Sequence, residues 1–352
     1  MMSIEVRPDA GRVRHITDTS GAWRQMVHVL GHSTLAHSPE WFTAIPRAYG
    51  HQPLYLAIED EDGERGVLPA FVVRRPFLGT VVTSMPFLDG GGPCCSSAAL
   101  QRRLVEHLVT EARRIRAGAV DLRCTERLAL ADRPLEHKVN LALALPADPD
   151  VLWRRLDKTV RNQVRKAERA GLSIEFGGSE NLRAFYDVFV VRMRDLGSPG
   201  HGVQFLRSVV DAFGDRARIV LVKKGHTPIG GLVALAYKQS IVVPWATCLK
   251  EHFALCPNML LYWETIRTAC LEGFERFEFG RSTRDSGTYR FKRQWGAVEE
   301  PLFWYTISIG RSDTRVAPSP GKAASALAGV WQRLPLGVTR QLGPRIRKYL
   351  IQ

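Results

Sequence analysis

The sequence predicts a mixed α/β fold, with helices and mixed sheets in two domains, on three observations. The chain has 352 residues, which is more than one average hydrophobic core contains. Hydrophobic residues make up 45% and charged residues 24% of it, a globular balance that excludes wholesale disorder. Short β-rich runs alternate with stretches of helical periodicity, and this alternation is typical of mixed α/β domains.

The first domain is predicted to comprise residues 1–146. Apolar residues recur every four positions from Leu100 to Ala112, which indicates the buried face of a helix. Runs rich in β-branched residues between turn residues indicate strands. The expected elements, in order, are a strand at 4–15, a helix at 41–49, strands at 53–59, 67–73 and 80–84, a helix at 100–117 and a strand at 119–122.

The second domain is predicted to comprise residues 147–310. Asp148 is a favourable N-cap and Pro149 fits the first helical position. Apolar residues at four-residue spacing then predict one helix over 151–170, ended by Gly171. The elements expected after it are a strand at 174–176, helices at 182–196 and 203–213, strands at 217–223, 229–237 and 240–247, a helix at 258–271 and a strand at 276–279. We interpret Gly225 and Gly230-Gly231 as strand-turn chemistry rather than as a phosphate-binding loop.

The net charge of +14 is concentrated in two segments. Residues 154–169 carry seven basic and two acidic side chains, and residues 311–352 carry eight and one. This clustering predicts two surfaces for a phosphate-bearing or anionic partner, although a solvated basic face and an unstructured tail would give the same pattern. In the first segment, a stripe at helical spacing is assigned to phosphates of tRNA, a nucleotide or an anionic glycan: Arg154, Lys158, Arg161 and Arg165.

Residues 311–352 are interpreted as a linker and a basic C-terminal segment that contacts either the core or an anionic membrane surface. The sequence has no apolar run near the roughly 20 residues of a membrane span, and its first 20 residues are too polar for a signal peptide. We therefore expect a cytoplasmic protein, with peripheral contact with the inner membrane as an option.

Cysteine and histidine spacing predicts neither a disulfide framework nor a metal site. The six cysteines form no Cys-x-x-Cys pair, and the ten histidines do not cluster at ligand spacing. We expect reduced, mostly buried thiols, no metal and no tightly bound cofactor.

The stretch 277–297 is the most informative part of the chain for function. A predicted strand leads into a polar, glycine-punctuated loop at 280–290, followed by alternating aromatic and basic residues. Loops at strand ends carry chemistry in many α/β domains. A loop rich in donors suits a phosphate or a developing oxyanion, whereas the alternative is a twisted hairpin whose charges face water.

The same stretch resembles the Fem-type (FemAB-like) aminoacyl and acyl transferases. Phe291-Lys292 and Trp295-Gly296 match the motif near the end of that family's second GNAT-like domain, and residues 158–171 are similar to its basic helix. Further segments resemble the subgroup associated with exosortase/PEP-CTERM systems: the Gly90-Gly91-Gly92 turn, Arg192 to Pro199, and Trp331 to Pro344. The resemblance extends from about His37 to Gly343.

This resemblance implies two GNAT-like domains in tandem and transfer of an acyl or aminoacyl group to an amine. The donor would be aminoacyl-tRNA, acyl-CoA or an acyl carrier. The acceptor would be an amine-bearing glycan or a peptidoglycan-like molecule, in exopolysaccharide or cell-envelope polymer biogenesis.

Candidate site residues follow from the residue types in this stretch and the resemblance. Lys292, aided by Arg281 or Arg290, would stabilise the tetrahedral oxyanion or a donor phosphate, an effect of roughly 2.7–4 kcal/mol per donor. Asp285 is the carboxylate of the loop and is either the acid/base group or part of an ordinary turn. Nine further residues are candidates for substrate binding: Ser282, Ser286, Tyr289, Arg290, Trp295, Trp245, Asn258, Tyr262 and Arg192. The alternative for the aromatic ones is a place in the hydrophobic core.

The sequence lacks the motifs of two other kinds of enzyme, an acetyltransferase that binds acetyl-CoA through a glycine loop and a serine hydrolase. The predicted helix at 258 is not preceded by the R/Q-x-x-G-x-G/A pattern that holds the acetyl-CoA pyrophosphate. Gly280-x-Ser282 lacks the second glycine of a nucleophile elbow, which excludes a hydrolase. The open alternatives are an acyl-CoA- or acyl-carrier-dependent GNAT enzyme acting on an amino sugar, and a non-catalytic basic module that binds nucleic acid or an anionic polymer.

Overall fold

The computed structural model describes residues 11–17, 19–130, 133–309 and 322–351. The chain forms two compact units, each with its own sheet. The first consists of Met1–Lys138, Pro301–Val316 and Ile351–Gln352, and the second of Val139–Glu300 and Ala317–Leu350. The domain boundaries at 146 and 310 stay predictions.

Helices and strands alternate along the chain. The first part of the chain contains β1 (Arg14–Ile16), α1 (Arg24–Val29), α2 (Trp41–Tyr49), β2 (Gln52–Glu59), β3 (Arg65–Arg75), β4 (Gly79–Thr83), β5 (Cys94–Cys95), α3 (Ala98–Arg114), β6 (Ala119–Cys124) and β7 (Lys138–Ala144). The remainder contains α4 (Pro149–Arg155), α5 (Lys158–Arg169), β8 (Leu172–Gly177), α6 (Leu182–Asp195), α7 (Val203–Phe213), β9 (Ala217–Lys224), β10 (Thr227–Tyr237), β11 (Ser240–Cys248), α8 (Pro257–Leu271), β12 (Arg276–Thr283), α9 (Gly287–Arg293), β13 (Val298–Pro301), β14 (Phe303–Ser308), α10 (Lys322–Arg333) and α11 (Leu336–Arg347).

The sheet of the first unit has the strand order β1-β2-β3-β4-β6-β14, with β5 paired to β3. Its pairs are antiparallel except for β4 and β6, which run parallel. The apolar face of α3, from Leu100 to Ala112, packs on this sheet, as its four-residue spacing predicts. The predicted strand at 4–15 lies mostly outside the described residues.

The sheet of the second unit has the order β13-β7-β12-β11-β10-β9-β8. Strands β8 to β11 pair antiparallel in that order, with β9 to β11 forming a meander, and β11 then pairs in parallel with β12. Helices α4, α5 and α8 share one buried core with the sheet, and α6 and α7 pack on the strands as well. The predicted meander at 217–247 and the helices at 182–196 and 203–213 are confirmed within a residue or two.

The single helix predicted over 151–170 is wrong. Helix α4 ends at Arg155, and α5 begins at Lys158. The Asp157 side chain accepts a hydrogen bond from Thr159 N at 2.7 Å and so caps a new helix. The predicted N-cap of α4 is confirmed, because the Asp148 side chain accepts a hydrogen bond from Asp150 N at 2.8 Å.

Gly230 and Gly231 lie inside β10 and not in a turn, which corrects the interpretation from sequence. A Cβ on Gly231 would lie 2.8 Å from the carbonyl oxygen of Val220 and 3.1 Å from the Phe185 ring. These glycines therefore allow close packing on the neighbouring strand and on α6.

The basic C-terminal segment is helical where it is described. Helices α10 and α11 pack on α6, where Gln332 Nε2 donates to Asp195 O at 3.0 Å and Arg340 pairs with Asp187. The predicted linker after Arg311 lies outside the described residues. In the described part of the chain, none of the helices is long and apolar enough to cross a membrane.

Candidate functional site

Strands β11 and β12 begin as a parallel pair and then stop pairing. Their register runs from Ser240 opposite Arg276 to Val242 opposite Glu278, although β11 continues to Cys248 and β12 to Thr283. Val243 and Pro244 form a bulge against β10, and proline has no backbone N–H to donate to a neighbouring strand. Gly280 adopts a left-handed conformation, with φ of +73°. Beyond the paired part, each strand offers backbone groups that its neighbour does not satisfy.

Each of these strand ends carries a buried hydroxyl without a partner among the described residues. Thr247 on β11 is 7% exposed and Ser282 on β12 is 4% exposed, and neither Oγ atom makes a hydrogen bond. The two residues lie at similar distances along their strands from the last paired position. A buried polar atom without a partner costs about 1–3 kcal/mol, so a bound water or ligand is the expected partner.

The loop predicted at 280–290 is wrong, and so is the alternative hairpin. Strand β12 continues to Thr283, and helix α9 begins at Gly287. Ser286 is its N-cap, since its Oγ accepts from Tyr289 N at 3.2 Å. Asp285 lies exposed in the turn between them, in the left-handed region with φ of +61°.

Lys292 lies on the inner side of α9 and is 8% exposed. Its ammonium group donates to the carbonyl oxygens of Gly280 at 2.9 Å and Arg281 at 2.8 Å. A buried ammonium group needs such acceptors, and the carbonyls of β12 beyond its paired part supply them. Lys292 therefore fixes α9 to the part of β12 that carries Ser282 and places a positive charge there.

Tyr289 and Arg284 both bind Glu299 on β13, a residue that the sequence did not single out. The Tyr289 hydroxyl donates to Glu299 Oε1 at 2.5 Å, and Arg284 Nε donates to Oε2 at 2.9 Å. These two hydrogen bonds lower the pKa of Glu299, and the bond to the carboxylate raises the pKa of Tyr289. The interaction attaches the start of α9 to β13.

The candidate aromatic residues differ in their surroundings. Tyr262 and Trp295 are 5% and 1% exposed and belong to the hydrophobic core. Burial raises the pKa of Tyr262, and its ring stacks on Phe279 with centroids 5.4 Å apart. The indole Nε1 of Trp295 is buried without a partner in the described structure. Trp245 is half-buried, with its ring 5.6 Å from that of Phe205.

The other three candidate substrate-binding residues lie on three different helices. Asn258 is half-buried in the first turn of α8. The Arg192 guanidinium lies over the Phe253 ring, 5.2 Å from its centroid. Arg290 is exposed on α9.

The basic stripe is interrupted where α4 meets α5. Arg154 belongs to α4 and lies 3.9 Å from Asp148 Oδ2. Arg161 Nη1 donates to the carbonyl oxygen of Arg154 at 3.1 Å, at the end of α4. The Arg165 guanidinium lies 5.7 Å from the Trp153 ring centroid, and Lys158 is exposed at the start of α5. Arg161 thus stabilises the helix junction, and the other three basic side chains are more exposed.

All six cysteines lie within the described residues and are free thiols, four of them buried. The expected burial of most of the cysteines is confirmed, and their reduced state stays a prediction. Burial raises the pKa of Cys95 to about 12, so this thiol remains protonated at neutral pH.

Comparisons with known proteins agree with this architecture. Residues 154–293 match the profile of a family described as an acetyltransferase (GNAT) domain. These residues contain strands β8 to β12 and helices α5 to α9. A search of curated proteins finds no match.

Solved structures resemble nearly the whole chain at low sequence identity. The crystal structure of FemX has a TM-score of 0.63 and 14% identity, and the match covers 84% of this chain and 97% of that one. A tandem GNAT protein from the clavulanic acid biosynthesis pathway has a TM-score of 0.53 and 12% identity, over 86% and 100% of the two chains. The C-terminal domain (DUF2156) of a putative lysylphosphatidylglycerol synthetase from Agrobacterium fabrum has a TM-score of 0.53 and 11% identity, over 82% and 91%.

These likenesses show the fold. The predicted class is confirmed: two mixed sheets with helices, in a GNAT-like architecture that resembles FemX and tandem GNAT proteins. The exosortase-associated subgroup stays a prediction, as do the roles of the individual site residues.

Proposed function

We propose that this protein is an N-acyltransferase of Fem type, which transfers an acyl or aminoacyl group from an activated ester or thioester to an amine. The reaction site lies where β11 and β12 stop pairing. The acceptor is an amine-bearing glycan or peptidoglycan-like molecule, used in building a cell-envelope or exopolysaccharide polymer. The GNAT family match and the structural likeness to FemX support this proposal.

One observation carries the proposal: Thr247 and Ser282, on the separated ends of two parallel strands, each bury a hydroxyl without a partner in the described structure. The carbonyl oxygen of a donor ester or thioester bound between the strand ends satisfies the hydroxyls, and these hydrogen bonds strengthen as negative charge develops on it.

The proposed reaction is direct. The amine nitrogen attacks the donor carbonyl carbon, the tetrahedral intermediate carries negative charge on oxygen, and the carbon–oxygen or carbon–sulfur bond of the donor breaks. The positive charge of Lys292, held at the end of β12 and aided by Arg281, stabilises that oxygen. Asp285 remains the candidate acceptor of the amine proton.

A transfer assay with two variants tests this site. Ser282→Ala and Thr247→Val each remove one hydroxyl, and Ser240→Ala, on the paired part of β11, is the matched control. We expect each test variant to lower kcat by about 10²-fold while the control keeps its activity. Their melting temperatures should stay level or rise, because no hydrogen bond within the protein is lost. Unchanged turnover in both test variants would contradict the proposed site.

The donor is tested in the same assay by offering labelled acetyl-CoA and labelled aminoacyl-tRNA separately. We expect transfer from aminoacyl-tRNA, because α8 lacks the glycines of a pyrophosphate loop and Arg154, Lys158 and Arg165 offer side-chain cations instead. This transfer should weaken steeply as salt rises, since phosphate contacts release counterions. Consumption of acetyl-CoA alone would favour the GNAT alternative. RNA binding without transfer from either donor would favour the non-catalytic module.

The C-terminal helices support a further part of the proposal, peripheral contact with an anionic membrane surface. Residues 322–351 contain six basic and no acidic side chains. Their exposed apolar residues include two on α10, three at four-residue spacing on α11 and one just after its end: Leu327, Val330, Val338, Leu342, Ile346 and Leu350. Apolar side chains combined with positive charge suit the interface of a membrane with anionic lipids.

Vesicle sedimentation tests this contact. Leu342→Glu combined with Ile346→Glu should lower binding to vesicles containing phosphatidylglycerol at least tenfold, because both charges enter the apolar face. Leu271→Glu changes an exposed leucine on α8, 60% exposed, and should have no effect. Equal binding by the unmodified chain, the double variant and Leu271→Glu would contradict the contact. So would binding of the unmodified chain to purely zwitterionic vesicles as strong as its binding to vesicles with phosphatidylglycerol.

A further inference from the structure

Three possible metal-ligand side chains meet at one edge of the first unit. His107 and Glu111 lie one turn apart on α3, and His15 lies on β1. His15 Nε2 is 3.3 Å from His107 Nε2 and 4.0 Å from Glu111 Oε1. All three ligand atoms lie within 4.8 Å of one another.

These distances fit a tetrahedral ion. Zinc–nitrogen bonds are about 2.0–2.1 Å long, so two ligand nitrogens at a tetrahedral angle lie roughly 3.3 Å apart. The two imidazole nitrogens already have that separation. The Glu111 carboxylate oxygen, 4.0 Å from His15 Nε2, reaches the ion by a rotation of its side chain.

The carboxylate is held by a neighbouring side chain. Arg114 Nε and Nη2 donate to Glu111 Oε2 at 3.0 and 2.8 Å. This interaction leaves Oε1 as the oxygen that approaches His15. Outer hydrogen bonds of this kind orient the ligands in known metal sites.

We propose that Nε2 of His15, Nε2 of His107 and Oε1 of Glu111 bind a divalent transition cation of the Zn²⁺ type, with water as the fourth ligand. Two imidazoles and one carboxylate are a donor set that this class of ion prefers. The ion links β1, a three-residue strand at the sheet edge, to the helix that covers the sheet. The site is independent of the proposed acyl transfer.

The spacing of histidines along the sequence does not indicate this site. His15 lies 92 residues before His107, and the pairing of β1 with the sheet brings the two together. His107 and Glu111 alone have the i, i+4 spacing that places two ligands on one helix face.

Titration of the metal-free full-length chain with Zn²⁺ tests the proposal. We expect one ion per chain, with affinity lowered at least tenfold in His107→Ala and in Glu111→Gln. His226→Ala removes an exposed histidine elsewhere and should bind as the unmodified chain does. Zn²⁺ should also raise the melting temperature of the unmodified chain by a few degrees, but not that of His107→Ala. Equal Zn²⁺ affinity in all four proteins would overturn the proposal, as would no binding by any of them.

Discussion

Replacing Lys292 with methionine is expected to lower kcat for acyl transfer by about 10²–10³-fold. Methionine keeps the length of the side chain but removes its charge, which lies at the end of β12 next to Ser282. The carbonyls of Gly280 and Arg281 lose a donor at the same time, so the variant should also lose about 1–3 kcal/mol of stability. Steady-state kinetics below the melting temperature of the variant, together with urea unfolding, measure both effects.

Arg293→Met is the matched control for this prediction. Arg293 lies on the same helix and also donates to a backbone carbonyl, that of Ala297, at 2.6 Å. Its replacement should cost similar stability but leave kcat within a few-fold of the unmodified chain. If both variants lose the same activity, or if Lys292→Met raises KM with kcat unchanged, Lys292 has no role in the chemical step.

Gly231→Val is expected to lower the free energy of unfolding by roughly 3 kcal/mol or to prevent folding. An added Cβ would lie 2.8 Å from the Val220 carbonyl oxygen and 3.0 Å from Leu221 Cδ2, and the backbone of β9 cannot move without breaking its pairing with β10. Urea unfolding followed by tryptophan fluorescence measures the change. Gly287→Ala is the control, because nothing lies within 4 Å of its added Cβ, and its stability should change by less than about 1 kcal/mol. A Gly231→Val protein as stable as this control would contradict the packing described for β10.

Much of the second unit could be predicted from local sequence patterns. The run from Ala217 to Cys248 consists of three apolar segments separated by turns, and each is a strand. The helix break at Asp157 was missed because apolar residues at four-residue spacing continue through it. There a side-chain cap outweighs the periodicity.

Helix α9 could not be predicted from the composition of its residues. The alternation of aromatic and basic residues from Tyr289 to Arg293 favours a strand by composition. Ser286 instead caps a helix, and burial of Lys292 on its inner side fixes that helix to β12. The sequence singled out Lys292 but did not predict its burial or the two carbonyl oxygens that its ammonium group binds, and its role in the reaction stays a prediction.

The candidate site was only partly predictable for a physical reason. Ser282 lies in the polar stretch 277–297 that the sequence singles out, whereas Thr247 ends an ordinary apolar strand. A buried hydroxyl without a partner results from how two strands separate, and no local pattern records that separation. The same holds for Glu299 and for the meeting of His15 with His107.

A crystal structure of the chain with an unreactive analogue of its acyl donor tests the central claim most directly. The account predicts that the acyl end lies between β11 and β12, with its carbonyl oxygen within hydrogen-bonding distance of Thr247 Oγ1 and Ser282 Oγ. An analogue bound elsewhere, with both hydroxyls remote from it, would contradict the account.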